Sequence, residues 1–415
     1  MTVARAALKS ACARVADATP ADAVDGVVPD LVARPTSTTE VAEVLRAAAE
    51  HRIAVVARGR GTKTTWGRPP ARADLVVDLG GMDQVLDHAA GDLIVEAQAG
   101  ARLADVQRAV AGEGQRLAID ETVPGASIGG TLAAAVSGPS RVVFGTMRDL
   151  LIGVTVVRAD GVVAKAGGRV VKNVAGYDLG KLVHGSFGTL AVVTDAIFRL
   201  HPLPAARRFV SVPVAGPDAA HRAVHGVVHA QVVPSAVEVD LPADGSGTVT
   251  VLLEGVAEGV LGRTSTTLDL LGSGAEVSEA EPAGWARYPW DTDARGDERA
   301  SGLKLTCALS GLAEVLEESR RVGVPVHLRG SGGAGVLYAA IPAGTDPAAV
   351  VDAVDRLRGV CIRHGGSLVV LDAPAAVKDV VDTWGPVPAL DLMRRVKDQF
   401  DPHHRLAPGR FVGGI

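Results

Sequence analysis

Arg58-Gly59-Arg60-Gly61-Thr62-Lys63 is the stretch on which the reading of the fold turns. It follows a short apolar run, Ile53–Ala57, that reads as a buried strand feeding straight into the glycines. A strand running into Gly-x-Gly among cations suits a diphosphate. Glycine lets backbone N–H groups approach an anion, and Arg58, Arg60 and Lys63 supply charge. The Rossmann pattern does not fit, because the third glycine of GxGxxG falls on Thr64 and no helical periodicity follows. The Walker pattern fails as well, since no glycine stands where that loop opens. Taken alone, the hexapeptide reads equally well as a surface turn with solvated cations.

A second loop changes the balance. Pro124-Gly125-Ala126-Ser127-Ile128-Gly129-Gly130-Thr131 is another glycine-rich turn, and it leads into a short small-residue helix expected at Leu132–Val136. N–H groups and the dipole at such a helix start favour an anion. Close packing of the helix is the other use for Gly129 and Gly130. Gly138, Arg141, Gly145 and Asp149 continue the run. Two such loops in one α/β segment suit a cofactor with a pyrophosphate at its centre.

Outward from the loops, Ser37 and Glu40 fit a helix-start capping box, with Val41, Val44, Leu45 and Ala48 on one face behind it. Strands are expected at Leu75–Leu79, Val85–Leu86 and Leu93–Ala97, with a helix near Arg102–Gly112. Leu151–Arg158 and Val162–Ala166 flank Asp160-Gly161, a hairpin dipeptide. A last strand, Leu190–Leu200, stops before Pro202 and Pro204, a natural boundary. Beyond it the order β-α-β-β-α-β occurs twice, which predicts a doubled ferredoxin-like sheet. The expected domains are 1–205, 206–380 and a C-terminal segment, 381–415, that returns to the first.

Composition narrows the function. The chain has 415 residues, 47% hydrophobic and 21% charged, enough for two cores rather than one. A net charge of -5 and 3% aromatics argue against a nucleic-acid binder. Cys12, Cys307 and Cys361 lie far apart in sequence, so neither an iron–sulfur cluster nor a cysteine-held zinc is expected, and no metal site is assigned. No run of 18 apolar residues and no secretory h-region occurs, so the expectation is a cytoplasmic protein without a membrane span.

The run Pro35–Pro204 resembles the FAD-binding domain shared by vanillyl-alcohol oxidase and p-cresol methylhydroxylase (the PCMH type). The matching residues are the two loops and Gly185-Ser186-Phe187-Gly188-Thr189-Leu190. Within that family, two segments resemble the FAD-binding subunits of bacterial glycolate oxidase. They are Val171-Lys172-Asn173-Val174-Ala175-Gly176-Tyr177-Asp178 and the ending, Phe400-Asp401-Pro402 through Leu406-Ala407-Pro408-Gly409-Arg410-Phe411. The resemblance implies an α+β fold: a PCMH-type FAD-binding domain plus an α/β cap of antiparallel sheet and helices. It also implies that the two loops clasp the FAD pyrophosphate, with Gly188, Val192 and Val193 along the adenine and ribose. Many relatives attach FAD through a histidine after the first loop's second glycine. Thr62 stands there, so FAD is expected to bind without a covalent link.

The implied chemistry is hydride removal from a small 2-hydroxy acid such as glycolate, which needs a base and a cation for the carboxylate. The His-rich, Gly-Asp-Gly-Asn-containing metal motif of related catalytic subunits is absent from the sequence. Arg329 and Arg410 could hold a carboxylate, and Tyr177 and Lys172 are the best polar candidates near the flavin, but no catalytic base is named. Three readings follow. The chain is an FAD-binding subunit passing electrons to a second flavoprotein and an iron–sulfur subunit, a self-sufficient FAD dehydrogenase, or a flavin-bound assembly subunit. Any membrane association would then come through partners.

Overall fold

The computed structural model describes residues 2–170 and 178–415, so the sequence expectations for Lys172 and Tyr177 lie outside the described residues. The chain divides into two compact units, one of residues 1–136, 146–203 and 386–415, the other of 137–145 and 204–385. Residues 137–145 were expected with the first unit. They group with the second, and they carry Gly138, Arg141 and Gly145 with them.

In the first unit, β1 (Val15–Asp17), β2 (Leu31–Ala33), β3 (Val55–Arg58) and β4 (Leu75–Asp78) form a sheet of order β1-β2-β4-β3, with β4 parallel to both β2 and β3. The helix Thr38–Glu50 makes the crossover from β2 to β3 and buries Val41, Val44, Leu45 and Ala48. Ser37 caps it by accepting from the Glu40 N–H at 3.2 Å. The reciprocal arm departs from the expected box, since the Glu40 carboxylate accepts from the Thr36 N–H at 2.6 Å.

A second sheet uses β5 (Val85–Ala89) and β6 (Ile94–Gln98) before the two-residue β7 (Gln115–Arg116), and β8 (Leu151–Arg158), β9 (Val163–Gly167) and β10 (Ala191–Arg199) after it. Its order is β5-β6-β10-β8-β9, antiparallel throughout, while β7 pairs with β11 (His201–Pro202). The C-terminal segment joins the first sheet alongside β3. The Val55 N–H donates to the Arg405 carbonyl at 2.7 Å and the Ala407 N–H to the Val55 carbonyl at 2.8 Å. This return is anchored by a buried ammonium. Lys397 donates to Asp401 (2.7 Å) and to the carbonyls of Thr189 (2.7 Å) and Leu406 (3.0 Å). A fully buried charge persists only when its donors are all satisfied in this way.

The second unit repeats one pattern. β12 (Ala206–Val214), β13 (Ala236–Leu241), β14 (Gly247–Gly255) and β15 (Glu276–Ser278) alternate with the helices Pro217–Val228 and Ala257–Leu271 as β-α-β-β-α-β. β16 (Ser301–Thr306), β17 (His327–Ser331), β18 (Val336–Ile341) and β19 (Ser367–Asp372) do the same with Leu312–Glu318 and Pro347–Arg363. All eight strands form one antiparallel sheet of order β15-β12-β14-β13-β17-β18-β16-β19. Each half is therefore a ferredoxin-like 4-1-3-2 sheet, and the halves meet at β13 and β17, where Asp240 faces Arg329. Strand alternation sends Val237, Val239 and Leu241 into a core shared with Val224, Leu316 and Val354 of the helices. The intervening Glu238 and Asp240 belong to the other, more polar face.

Candidate functional site

The first loop lies at the end of β3, in a cleft of the first unit. Arg58, Gly59, Arg60, Gly61, Thr62 and Lys63 all line it, with Ser127, Gly129, Gly130, Gly188 and Val193. The N–H groups of Gly59 through Lys63 donate to no acceptor among the described residues. Consecutive open N–H groups around a glycine turn form a concavity that suits an anion.

The cations of this loop differ in availability. Arg58 is committed, its Nη2 donating to Asp22 (2.9 Å) and Asp78 (2.8 Å). Arg60 is committed too, through Nε to the Gly100 carbonyl (3.0 Å) and Nη2 to Asp83 (2.9 Å). Lys63 donates only to the Thr62 hydroxyl, at 3.1 Å. The side chain is partly exposed, and the burial it has pushes the ammonium down to about 8 despite the opposing pull of Glu121.

The second loop is built otherwise. Its helix runs Ile128–Ala133, starting earlier than expected because Ser127 caps it, accepting from the Gly130 N–H at 3.2 Å. The Ile128 and Gly129 N–H groups donate to the carbonyls of Ala101 (2.9 Å) and Ala99 (2.8 Å), and the Thr131 N–H to the Ser127 carbonyl (2.9 Å). The N–H donors expected to face an anion are thus engaged inside the chain. A β-carbon on Gly129 would stand 2.8 Å from that of Ala99, and one on Gly59 would stand 2.1 Å from Ser127 Oγ. Close packing is therefore what Gly129 serves, and the two loops touch at Gly59.

The remaining expected residues are dispersed. Ile128 and Thr131 are buried. Pro124 and Gly125 belong to the preceding turn, where the Gly125 N–H donates to Glu121 at 3.0 Å. Val192 is buried on β10, beside Val193 of the cleft. Asp149 accepts from the Thr146 N–H (2.8 Å) and hydroxyl (3.0 Å), which hold its carboxyl below the usual range although burial opposes this. Residues not assigned to cofactor binding from the sequence complete the cleft, among them Leu79, Ala99, Ala133, Phe187 and Arg410. Arg410, one candidate for a carboxylate, instead donates to the carbonyls of Thr64 (2.8 Å) and Trp66 (2.6 Å) and so fixes the turn after the first loop. Phe411 stacks on Phe187 with centroids 5.6 Å apart.

The second unit carries its own polar cluster on the sheet face opposite the helices. Arg329, the other carboxylate candidate, donates to Asp240 at 2.7 Å, and the same carboxylate meets His327 Nε2 at 2.6 Å. Burial raises the Asp240 carboxyl, but its hydrogen bonds with His327 and Arg329 outweigh that and hold it low. In the other half, Lys304 of β16 faces Tyr338 of β18 across the ladder. The Tyr338 hydroxyl donates to the Ser137 carbonyl at 3.1 Å, and Arg141 donates to the Ser137 hydroxyl at 2.8 Å. Neither Lys304 nor Arg141 has a carboxylate partner among the described residues. Burial and, secondarily, the Arg141 charge push Lys304 down to about 8. Two cations without a carboxylate partner beside a phenol make chemistry that suits a small anion. Sequence reasoning missed Lys304, which sits in an ordinary apolar strand pattern. No group of three His, Cys, Asp or Glu among the described residues could hold a metal.

Residues 29–167 match the family described as FAD binding domain, and residues 377–411 the one described as FAD linked oxidases, C-terminal domain. The cleft fits such a cofactor through its open N–H groups, its cleft-lining lysine and its close-packed glycines. The glycolate oxidase subunit GlcD of Bacillus subtilis (strain 168) is 34% identical over 212 residues, 51% of this chain and 45% of that protein. A mitochondrial D-lactate dehydrogenase [cytochrome] of Arabidopsis thaliana is 34% identical over 177 residues, 43% of this chain and 31% of its own length. The matches thus span less than half of these curated relatives. Among solved structures, the xylooligosaccharide oxidase from Myceliophthora thermophila C1 covers 97% of both chains with a TM-score of 0.70 at 18% identity. Physcomitrella patens BBE-like 1 gives 0.69 at 16%, covering 96% of this chain and 97% of its own. At these identities the likeness concerns the fold alone, the α+β architecture expected of the PCMH type.

Proposed function

We propose that this chain, whose residues 29–167 match an FAD binding domain and 377–411 the C-terminal domain of FAD linked oxidases, is the FAD-binding subunit of a 2-hydroxy-acid dehydrogenase. The observation that carries the reading is that Arg141 and Lys304 stand near each other without a carboxylate partner among the described residues, which suits one small carboxylate. The printed names of its relatives, a glycolate oxidase subunit and D-lactate dehydrogenases, support the same class of acid. In the proposed site, Lys304 and Arg141 fix the carboxylate, and the Tyr338 hydroxyl, tied to Ser137, holds the receptor wall in place. FAD, when bound, supplies the hydride acceptor. Burial of the Lys304 ammonium strengthens its attraction to the substrate's charge relative to water.

FAD is held without a covalent link, because Thr62 offers neither imidazole nor thiol at the attachment position. The electrons then leave to partners, a second flavoprotein and an iron–sulfur subunit. No helix among the described residues is long and apolar enough to cross a membrane, and the reading extends to a cytoplasmic subunit that reaches a membrane only through partners.

Anaerobic mixing of the native assembly with glycolate, D-lactate or D-2-hydroxyglutarate is expected to bleach the flavin. Lys304→Met should raise KM at least tenfold, the loss of about one charge-assisted hydrogen bond. Acid precipitation should leave all flavin in the supernatant. Bleaching by simple alcohols but by no 2-hydroxy acid would reject the substrate class. Sustained turnover by the isolated chain with oxygen would favour a self-sufficient enzyme, and a flavin that no substrate bleaches would favour an assembly subunit.

A further inference from the structure

Three cations surround the first glycine loop, yet only one is available to a ligand. We infer that Lys63 is the sole loop cation that meets the FAD diphosphate, and that FAD binding draws a proton from solvent onto its amine. The inference rests on the cofactor reading above.

The geometry carries it. Arg58 and Arg60 already have carboxylate partners at 2.8 to 2.9 Å, in Asp22, Asp78 and Asp83. Arg410 donates to two backbone carbonyls behind the loop. Lys63 has a hydroxyl and no carboxylate as its hydrogen-bond partner, and its Cε lies 4.0 Å from where a β-carbon on Gly130 would stand, so it reaches across to the second loop. The charged groups around the cleft are thus Arg58, Arg60 and Arg410, all engaged within the chain, and Glu121, whose attraction on Lys63 is weaker than the effect of burial. With its amine near 8, Lys63 is half neutral at that pH. A diphosphate beside it favours the charged form, so the amine takes up the missing proton. No bond other than N–H forms, and the proton comes from buffer.

The sign follows directly. Well below pH 8 the lysine is already charged and FAD binds at full strength. As pH rises through 8, the free site must be protonated first and affinity falls. Between pH 7 and pH 9 the expected loss is about tenfold, with about half a proton taken up per FAD at pH 8.

The experiment is FAD release from the diluted holoprotein, followed by flavin fluorescence between pH 6.5 and 9, with calorimetric FAD titrations in buffers of different ionisation enthalpy. Lys63→Arg keeps a permanent charge and should flatten the pH profile while retaining tight binding. Lys63→Met should weaken binding at pH 7 by at least tenfold, also without pH dependence. Its thermal unfolding without FAD reports whether it folds. Tight wild-type binding with no pH dependence and no proton uptake overturns the inference and leaves FAD as cofactor. So does a folded Lys63→Met that binds like the wild type. A wild-type chain that binds no FAD at any pH overturns the cofactor reading itself.

Discussion

The two glycine-rich loops look alike in sequence and use their backbones in opposite ways. Gly59 to Lys63 leaves five consecutive N–H groups without acceptors among the described residues, while Ile128 to Thr131 turns every N–H back onto its own chain. One loop is a receptor and the other is its support, and they meet where Gly59 lies against Ser127. Glycine enrichment therefore marks two different needs: access for a ligand, and clearance for a neighbouring strand. Composition cannot separate them, because both delete a side chain.

Substitutions break this contrast in graded steps. Gly59→Val should have the largest effect, since its first side-chain atom would stand 2.1 Å from Ser127 Oγ and prise receptor from support. FAD loading is expected to fall more than a hundredfold, read as the flavin-to-protein absorbance ratio. Full loading would show that the loops need not touch. Gly129→Ala comes next. Its β-carbon crowds Ala99, so the expected cost is about 1–3 kcal/mol of stability in thermal or denaturant unfolding. FAD affinity should stay within about threefold. A large affinity loss with unchanged stability would return the second loop to the ligand. Arg60→Gln should matter least. Its partner Asp83 is half exposed, so stability should shift by about 0.2–1 kcal/mol and flavin affinity less than twofold. A tenfold affinity loss would show that Arg60 leaves Asp83 for the cofactor.

Much of this was legible in the sequence for local reasons. The strand before Gly59, the amphipathic helix Thr38–Glu50 and the Asp160-Gly161 hairpin depend on neighbours within a few residues. The doubled β-α-β-β-α-β order was legible because each element has its own period. What escaped is decided at long range. Nothing near Arg58 announces that Asp22 and Asp78 will claim its charge, and nothing in Arg410 announces Thr64 and Trp66, 346 and 344 residues away. The helix at Ile128 was displaced because a single hydroxyl, Ser127, out-competed the later small-residue run as a start point. Lys304 stayed hidden because one cation in an alternating strand is ordinary until Arg141 arrives from residues 137–145, a segment distant in sequence that groups with the same unit.

The mirrored strand order of the second unit answers a problem that each half would face alone. Each ferredoxin-like half would by itself leave its second strand, β13 in one and β17 in the other, as an open edge, and open edges recruit other strands. Here each edge is closed by the other through the Glu238–Leu241 and Leu328–Ser331 ladder. A single ancestral half pairing with a second copy of itself would make the same junction. Fusion of two such copies frees one from any need to resemble the other. The two halves here differ in what corresponding ladders carry: between β12 and β14 the hydroxyls of Ser211 and Thr250 face each other, and between β16 and β18 a lysine, Lys304, faces the phenol of Tyr338.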